Sequence, residues 1–234
     1  MTWHLGRMAG FDLETTGPDP LTARIVTACI VQCGGGQPVI AANWLTDVDG
    51  QDIPDEAAAI HGVTTKRAHA EGVDLRQAVE EIAAALAQVI LAGVPVVAMN
   101  ARYDLTLLDR EIERYGFDPL PAGPVIDPFV IDKHVDKYRK GSRKLTALCE
   151  HYQVPIGDAH TADADAVAAC RVAWRQGTMH PPLAAMGLEQ LHRAQTEWAA
   201  EQAVSLQEHF RKKDPNAHVE GAWPLIPRQR GGDQ

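Results

Sequence analysis

The chain is short of positive charge. Its 234 residues hold 22 lysines and arginines against 31 aspartates and glutamates, a net charge of −9. That balance argues against a protein that coats nucleic acid through bulk electrostatics, but not against an enzyme that grips one strand end with a local basic patch. Cysteine is scarce. Cys29, Cys33, Cys149 and Cys170 form no Cys-x-x-Cys pair and have no histidines at zinc-finger spacing, so a reduced, cytoplasmic chain is expected. No apolar run suits a membrane span, because the longest, 82–99, is broken by Gln88, Gly93 and Pro95. Residues 1–10 lack the basic start and apolar block of a secretory signal. Internal repeats are absent. With 45% hydrophobic residues, enough remains for the core of one ordinary domain plus an extension.

Hydrophobic patterning predicts strands over 5–11, 25–33 and 38–45, the last two joined through Gly34-Gly35-Gly36 as part of an antiparallel meander. A short helix is expected over 54–61. The Ala-rich segment 75–91 sets Leu75, Val79, Ile82, Leu86 and Val89 on one helical stripe. A buried strand follows at 94–99, a helix at 103–115, a short strand at 124–126 ending in Asp127, and helices at 128–137, 144–152 and 163–175. A meander followed by alternating strands and helices gives an α/β architecture, a mixed sheet flanked by helices. Residues 177–182 read as a linker and 183–210 as one long helix before an irregular tail. The chain thus divides into 1–176 and a C-terminal helical extension, 177–234. That last helix either packs across the core or docks another protein.

The most informative stretch is Phe11-Asp12-Leu13-Glu14-Thr15-Thr16-Gly17. In a strand, residues i and i+2 share a side, so Asp12 and Glu14 aim two carboxylates at one point. Like charges that close repel unless a cation sits between them, and a hard divalent ion with oxygen ligands suits the place. Two more acids occupy comparable positions: Asp104, where a buried strand enters a helix, and Asp165, at the start of the last core helix. Alone, each reads as a simple cap, favoured by the exposed amides of a helix N-terminus. His160 stands five residues before Asp165. Lys133, His134, Lys137, Tyr138, Arg139, Lys140, Arg143 and Lys144 form the one dense basic cluster, either a solvated helix face or a track for a phosphate backbone with Tyr138 as a stacking face.

The succession FDxETTG, NxxxD (Asn100 to Asp104) and HxxxxD (His160 to Asp165) resembles the DEDDh branch of the DEDD superfamily of 3′→5′ exonucleases. The proofreading subunit of bacterial DNA polymerase III and ribonuclease T belong to that branch. The likeness covers about residues 7–174, and Ile60-His61-Gly62-Val63-Thr64 resembles a further loop of the family. The resemblance implies a ribonuclease H-like fold with a five-stranded mixed sheet. It also implies that Asp12, Glu14, Asp104 and Asp165 ligate two divalent cations, Mg²⁺ or Mn²⁺, with His160 as general base. Leu13, Thr15, Thr16, His61, Asn100 and Tyr103 would meet the substrate, although His61 reads equally well as a structural turn residue. Met99 stands where many relatives carry histidine, a change in the pocket wall that spares the acids. Asp163 is an extra acid, read as the cap of its helix.

The implied activity is release of nucleoside 5′-monophosphates from single-stranded or frayed DNA ends, two ions clamping the attacking and leaving oxygens. RNA trimming is the alternative, since the motifs do not separate sugars. A catalytically silent module holding nucleic acid or a polymerase would be expected to lack one of the five site residues, and all five are present. Single-stranded nucleic acid is the expected partner, DNA before RNA. A DNA polymerase or other protein on the C-terminal helix is a further possibility, and no membrane is involved.

Overall fold

Residues 2–157 and 161–228 are described by the computed structural model. Its centre is β1, Arg7–Thr15, a nine-residue strand. β1 pairs antiparallel with β2, Ile25–Gly34, which pairs with β3, Ile40–Leu45. On its other side β1 runs parallel to β4, Val96–Val97, and β4 runs parallel to β5, Val125–Ile126. The five-stranded mixed sheet therefore has the order β3-β2-β1-β4-β5.

The strand period decides what each face of β1 meets. Ala9, Phe11 and Leu13 enter the main core with Leu75, Val79, Ile82 and Leu86 of α3, Leu75–Leu91, and Leu105 and Leu108 of α4, Ala101–Tyr115. Gly10 faces α7, Ala162–Met179, where Ala162 and Ala166 pack on Cys29 and Val31 of β2. Asp12 and Glu14 continue that face, so β1 delivers two acids to the start of α7. The contact is close enough to require glycine: a Cβ at Gly10 would lie 2.4 Å from the Ala166 carbonyl oxygen.

Several expectations are corrected. β1 extends past Phe11 to Thr15, because pairing with β2 continues through the acidic motif. The strand expected over 94–99 reduces to two residues. α1, Asp55–His61, is followed by α2, Thr65–Glu71, which the sequence reading missed; Gly62, in the left-handed region at φ 75°, ends the first helix, and the Thr64 hydroxyl caps the second by accepting the Arg67 N–H at 3.2 Å.

The linker expected at 177–182 is helical instead. α7 continues through Gly177, where a Cβ would fall 2.5 Å from the His4 ring, and α8, Pro181–Ala184, starts directly after His180. The single helix expected over 183–210 is two, broken before Gly187, with α9 spanning Leu188–Arg211. α9 packs across the core domain. Its Gln195 acts as a sixth-strand substitute at the β5 edge, accepting the Asp127 N–H at 2.7 Å and donating to the Val125 carbonyl at 2.9 Å. No described helix is long and apolar enough to cross a membrane.

Candidate active site

Asp12, Glu14 and Asp165 each offer a carboxylate oxygen, and these three oxygens lie within 4.8 Å of one another. β1 supplies the first two by alternation and the first turn of α7 supplies the third, held there by the Gly10 contact. Asp163 sits in the same first turn but is exposed, and the N-cap position is Thr161, so the extra acid neither joins the cluster nor occupies the cap expected of it.

Asp104 lies beside the trio. It is buried in the first turn of α4, and its Oδ1 accepts the Leu13 N–H at 3.1 Å, between the two acids of β1. The electrostatics report the crowding. Burial, then the charges of Asp104, Asp165 and Glu14, push the Asp12 carboxyl well above the usual range. Burial and Asp165 push Glu14 up to about 7. Burial also raises Asp104, with Asp127 and Glu14 adding to it and the Leu13 N–H opposing. Four acids that destabilise one another's ionised forms, on a chain that brings them together anyway, fit a site for hard divalent cations. His160 lies outside the described residues.

Beside Glu14 opens a cavity of about 530 Å³. Leu13, Thr15, Thr16, His61 and Tyr103 all line it, together with the apolar Ile60. The Thr15–Gly17 turn is fastened from two sides. The Tyr103 hydroxyl hydrogen-bonds the Gly17 carbonyl and lies 2.6 Å from the Thr15 hydroxyl. The Arg24 N–H donates to the Thr16 hydroxyl at 2.9 Å, and the Arg24 guanidinium is itself pinned by Asp49 and by buried Glu111. His61 is the structural turn residue of one of the two readings, and it also lines the cavity. Its Nδ1 accepts the Val63 N–H at 3.2 Å, closing the turn between α1 and α2. Burial pushes its pKa down, opposed by the Thr15 backbone.

Asn100 is elsewhere. It takes the left-handed conformation at φ 60° ahead of α4 and lines a separate cleft of about 160 Å³ with Asp127, Arg102 and Trp223. Met99 packs toward Leu145 and Leu148.

Asp127 is the functional neighbour that sequence reasoning missed. It is buried, and its carboxylate accepts four donors: the N–H groups of Asn100 (3.0 Å), Ala101 (3.0 Å) and Phe129 (2.9 Å), and the Trp223 indole (3.1 Å). It thereby fixes where α4, and so Asp104, begins. The signal was present: an acid closing a strand directly before a proline is an N-cap pattern.

The basic cluster divides in two. Arg139 and Arg143 are committed to the buried Asp132 carboxylate, Arg139 at 2.7 Å, and the Tyr152 hydroxyl donates to the same carboxylate at 2.9 Å. Among the described residues Lys133, Lys137, Lys140 and Lys144 enter no ion pair.

A family model described as exonuclease, of the ribonuclease T type, matches residues 9–173. Curated relatives include the PolC-type DNA polymerases III of Lacticaseibacillus paracasei, 26% identical over 160 residues, and of Halalkalibacterium halodurans, 24% over 165. These alignments cover 68% and 70% of this chain but only 10% and 11% of the polymerases. Among solved structures, a zinc-bound complex of E. coli ExoI with single-stranded DNA superposes with a TM-score of 0.65 at 20% identity, over 76% of this chain and 42% of that one. This chain thus spans well under half the length of the proteins it matches. With the family model covering most of the chain, the fold shared and the four acids gathered at one end of β1, the protein belongs to the DEDD-type 3′→5′ exonuclease family.

Proposed function

We propose that this chain is a metal-dependent exonuclease that removes nucleotides one at a time from the 3′ end of single-stranded or frayed DNA, releasing nucleoside 5′-monophosphates. The convergence of Asp12, Glu14 and Asp165 within 4.8 Å, with Asp104 buried alongside, is the observation that carries it. These acids would hold two divalent cations, Mg²⁺ or Mn²⁺, whose chemistry is to neutralise the scissile phosphate and to acidify a water for in-line attack.

The chain's own groups do the rest. Asp12 and Glu14 give the site its direction because the strand fixes both on one side. Asp104 links that pair to the start of α4 through the Leu13 N–H. The cavity beside Glu14 receives the terminal nucleotide, its base against Leu13 and Ile60 and its polar edge toward Thr15, Thr16 and His61. His160 accepts the proton of the attacking water, a task suited to an imidazole whose unperturbed pKa is about 6.5. DNA is favoured as substrate because the solved relative was captured with single-stranded DNA.

Digestion of 3′-labelled and 5′-labelled DNA and RNA oligomers with Mg²⁺ or Mn²⁺ tests this reading. A 3′ label released first as a mononucleotide is expected from DNA, with loss of the activity in Asp12→Ala and His160→Ala. Robust activity in either purified variant would end the proposal. Faster digestion of RNA would reassign the substrate.

A further inference from the structure

A second concavity lies apart from the acids. It is a groove of about 430 Å³ between the α5 side of the molecule, where α5 spans Pro128–Val135, and α9. Lys133, Lys137, Tyr138 and Arg143 line one wall, and Trp198 and Gln202 line the other. Lys133, Gln202 and Leu206 also line the cleft of Asn100 and Arg102, so the two cavities share a wall and run on toward the start of α4, one turn before Asp104.

Three features set this groove apart on a chain of net charge −9. Two of its cations are uncompensated: among the described residues neither Lys133 nor Lys137 is in an ion pair, and Glu201 is the one acid on the groove wall, while Arg143 is committed to Asp132. The charges also confront one another, since burial and the nearby Arg143 and Arg102 push the Lys133 ammonium down, opposed only in part by Asp127. Like charges gathered in a concavity are relieved by an anion. Finally, Tyr138 is 86% exposed at the rim, next to Lys137, an aromatic face held out to solvent. The groove wall is braced by contacts: Arg139 and Arg143 pair with Asp132, and His134 stacks on Trp198 at 3.7 Å.

We infer that this groove binds the 5′ portion of the single-stranded polynucleotide whose 3′ end enters the site, Lys133 and Lys137 meeting phosphates and Tyr138 stacking on a base. Cationic grooves that track a backbone, combined with a stacking aromatic, are how single strands are held without sequence preference. The C-terminal extension, through α9, then supplies half of a substrate track. The direction of the strand rests on the exonuclease reading, but the binding does not.

The test measures binding of the full chain to labelled dT and rU oligomers of two to twenty nucleotides by fluorescence anisotropy, in chelator and across a salt series. Affinity is expected to rise with length. The Lys133→Gln/Lys137→Glu variant is expected to lose about tenfold or more on the longest strand and to flatten the salt slope by about 1.4, about 0.7 for each lost phosphate contact. Tyr138→Ala is expected to weaken binding without changing that slope. Thermal melting checks the fold, and Lys137→Glu alone, on an exposed side chain, serves if the double variant melts early. Affinity and slope unchanged in these variants would overturn the inference, as would tighter binding of an acidic peptide than of either oligomer. A protein that binds long strands through these residues but cuts none would refute the exonuclease proposal and leave the groove standing.

Discussion

Glu14 offers the sharpest quantitative test of the metal site. Its carboxyl is held at about 7 in the folded chain against 4.5 for an ordinary glutamate. Between those values the folded state keeps a proton that the unfolded state has lost, so without a cation the fold loses stability as pH rises toward 7. A divalent ion prefers the ionised carboxylate and must displace that proton at low pH. Raising the pH from about 5.5 to about 8 lifts the ionised fraction roughly 30-fold, or about 2 kcal/mol of binding free energy at about 1.4 kcal/mol per decade. Glu14 is only partly buried, and solvent screening reduces this to about 1 kcal/mol. For a chain of this size that is a shift of about 2–4 °C in melting temperature. The assay is differential scanning fluorimetry at fixed Mn²⁺ or Mg²⁺ against an equal ionic strength of Na⁺. The stabilisation by the divalent ion should be larger at the higher pH by at least about that amount, and Glu14→Gln should reduce the pH dependence, leaving the part due to Asp12 and Asp104, while raising the melting temperature of the ion-free protein. A stabilisation that is flat with pH, or larger at low pH, would refute the argument that these acids share a cation.

Other outcomes follow from particular contacts. Asp127→Asn leaves one acceptor oxygen for four donors, and should cost about 1–3 kcal/mol for each orphaned buried group while lowering kcat more than it raises KM, read by denaturant melts and steady-state kinetics. Arg143→Ala strips one partner from buried Asp132, which keeps Arg139 and Tyr152, and should destabilise by about 1–3 kcal/mol, whereas exposed Lys140→Ala should be neutral within about 0.5 kcal/mol; equal melts would contradict the division of the basic cluster. Gly10→Ala forces α7 off β1 and should abolish cation-induced stabilisation even where the chain still folds, read by the same fluorimetry. The Cys33 thiol is pushed down to about 7 by its hydrogen bond with Cys170 and by Arg7 and Arg171, whereas burial lifts Cys29 to about 12 and Cys149 to about 11. Iodoacetamide near neutral pH should therefore label Cys33 first, and mass spectrometry showing Cys29 or Cys149 first would contradict this.

How far the sequence revealed the molecule depended on the range of the interaction. Asp12 and Glu14 were legible because strand period alone puts them together, and α3 was legible because its apolar stripe is long and uninterrupted. Short elements were not: β4 and β5 are two residues each, their ends set by neighbouring strands rather than by their own composition. α2 was missed although Gly62 and Thr64 announce it, since the motif was read for resemblance and not for its capping chemistry. The basic run illustrates the limit of composition. Spacing cannot show that two of its arginines face inward to a buried aspartate, a fact set by the fold of α5 against α6, Leu145–Tyr152. Asn100 is expected from its motif to meet the substrate with Thr15 and Tyr103, but its left-handed backbone turns the chain there, and it lines the other cleft.

The indole of Trp223 donates to the same carboxylate that fixes the first turn of α4, and the Ile226 N–H donates to the Thr106 hydroxyl within that helix. The order in which the polypeptide is made is therefore not the order in which its reactive centre is finished. On a ribosome, the acids of β1 and α4 emerge first, yet the bracing of the helix that carries Asp104 waits for Ile226, which follows Thr106 by 120 residues.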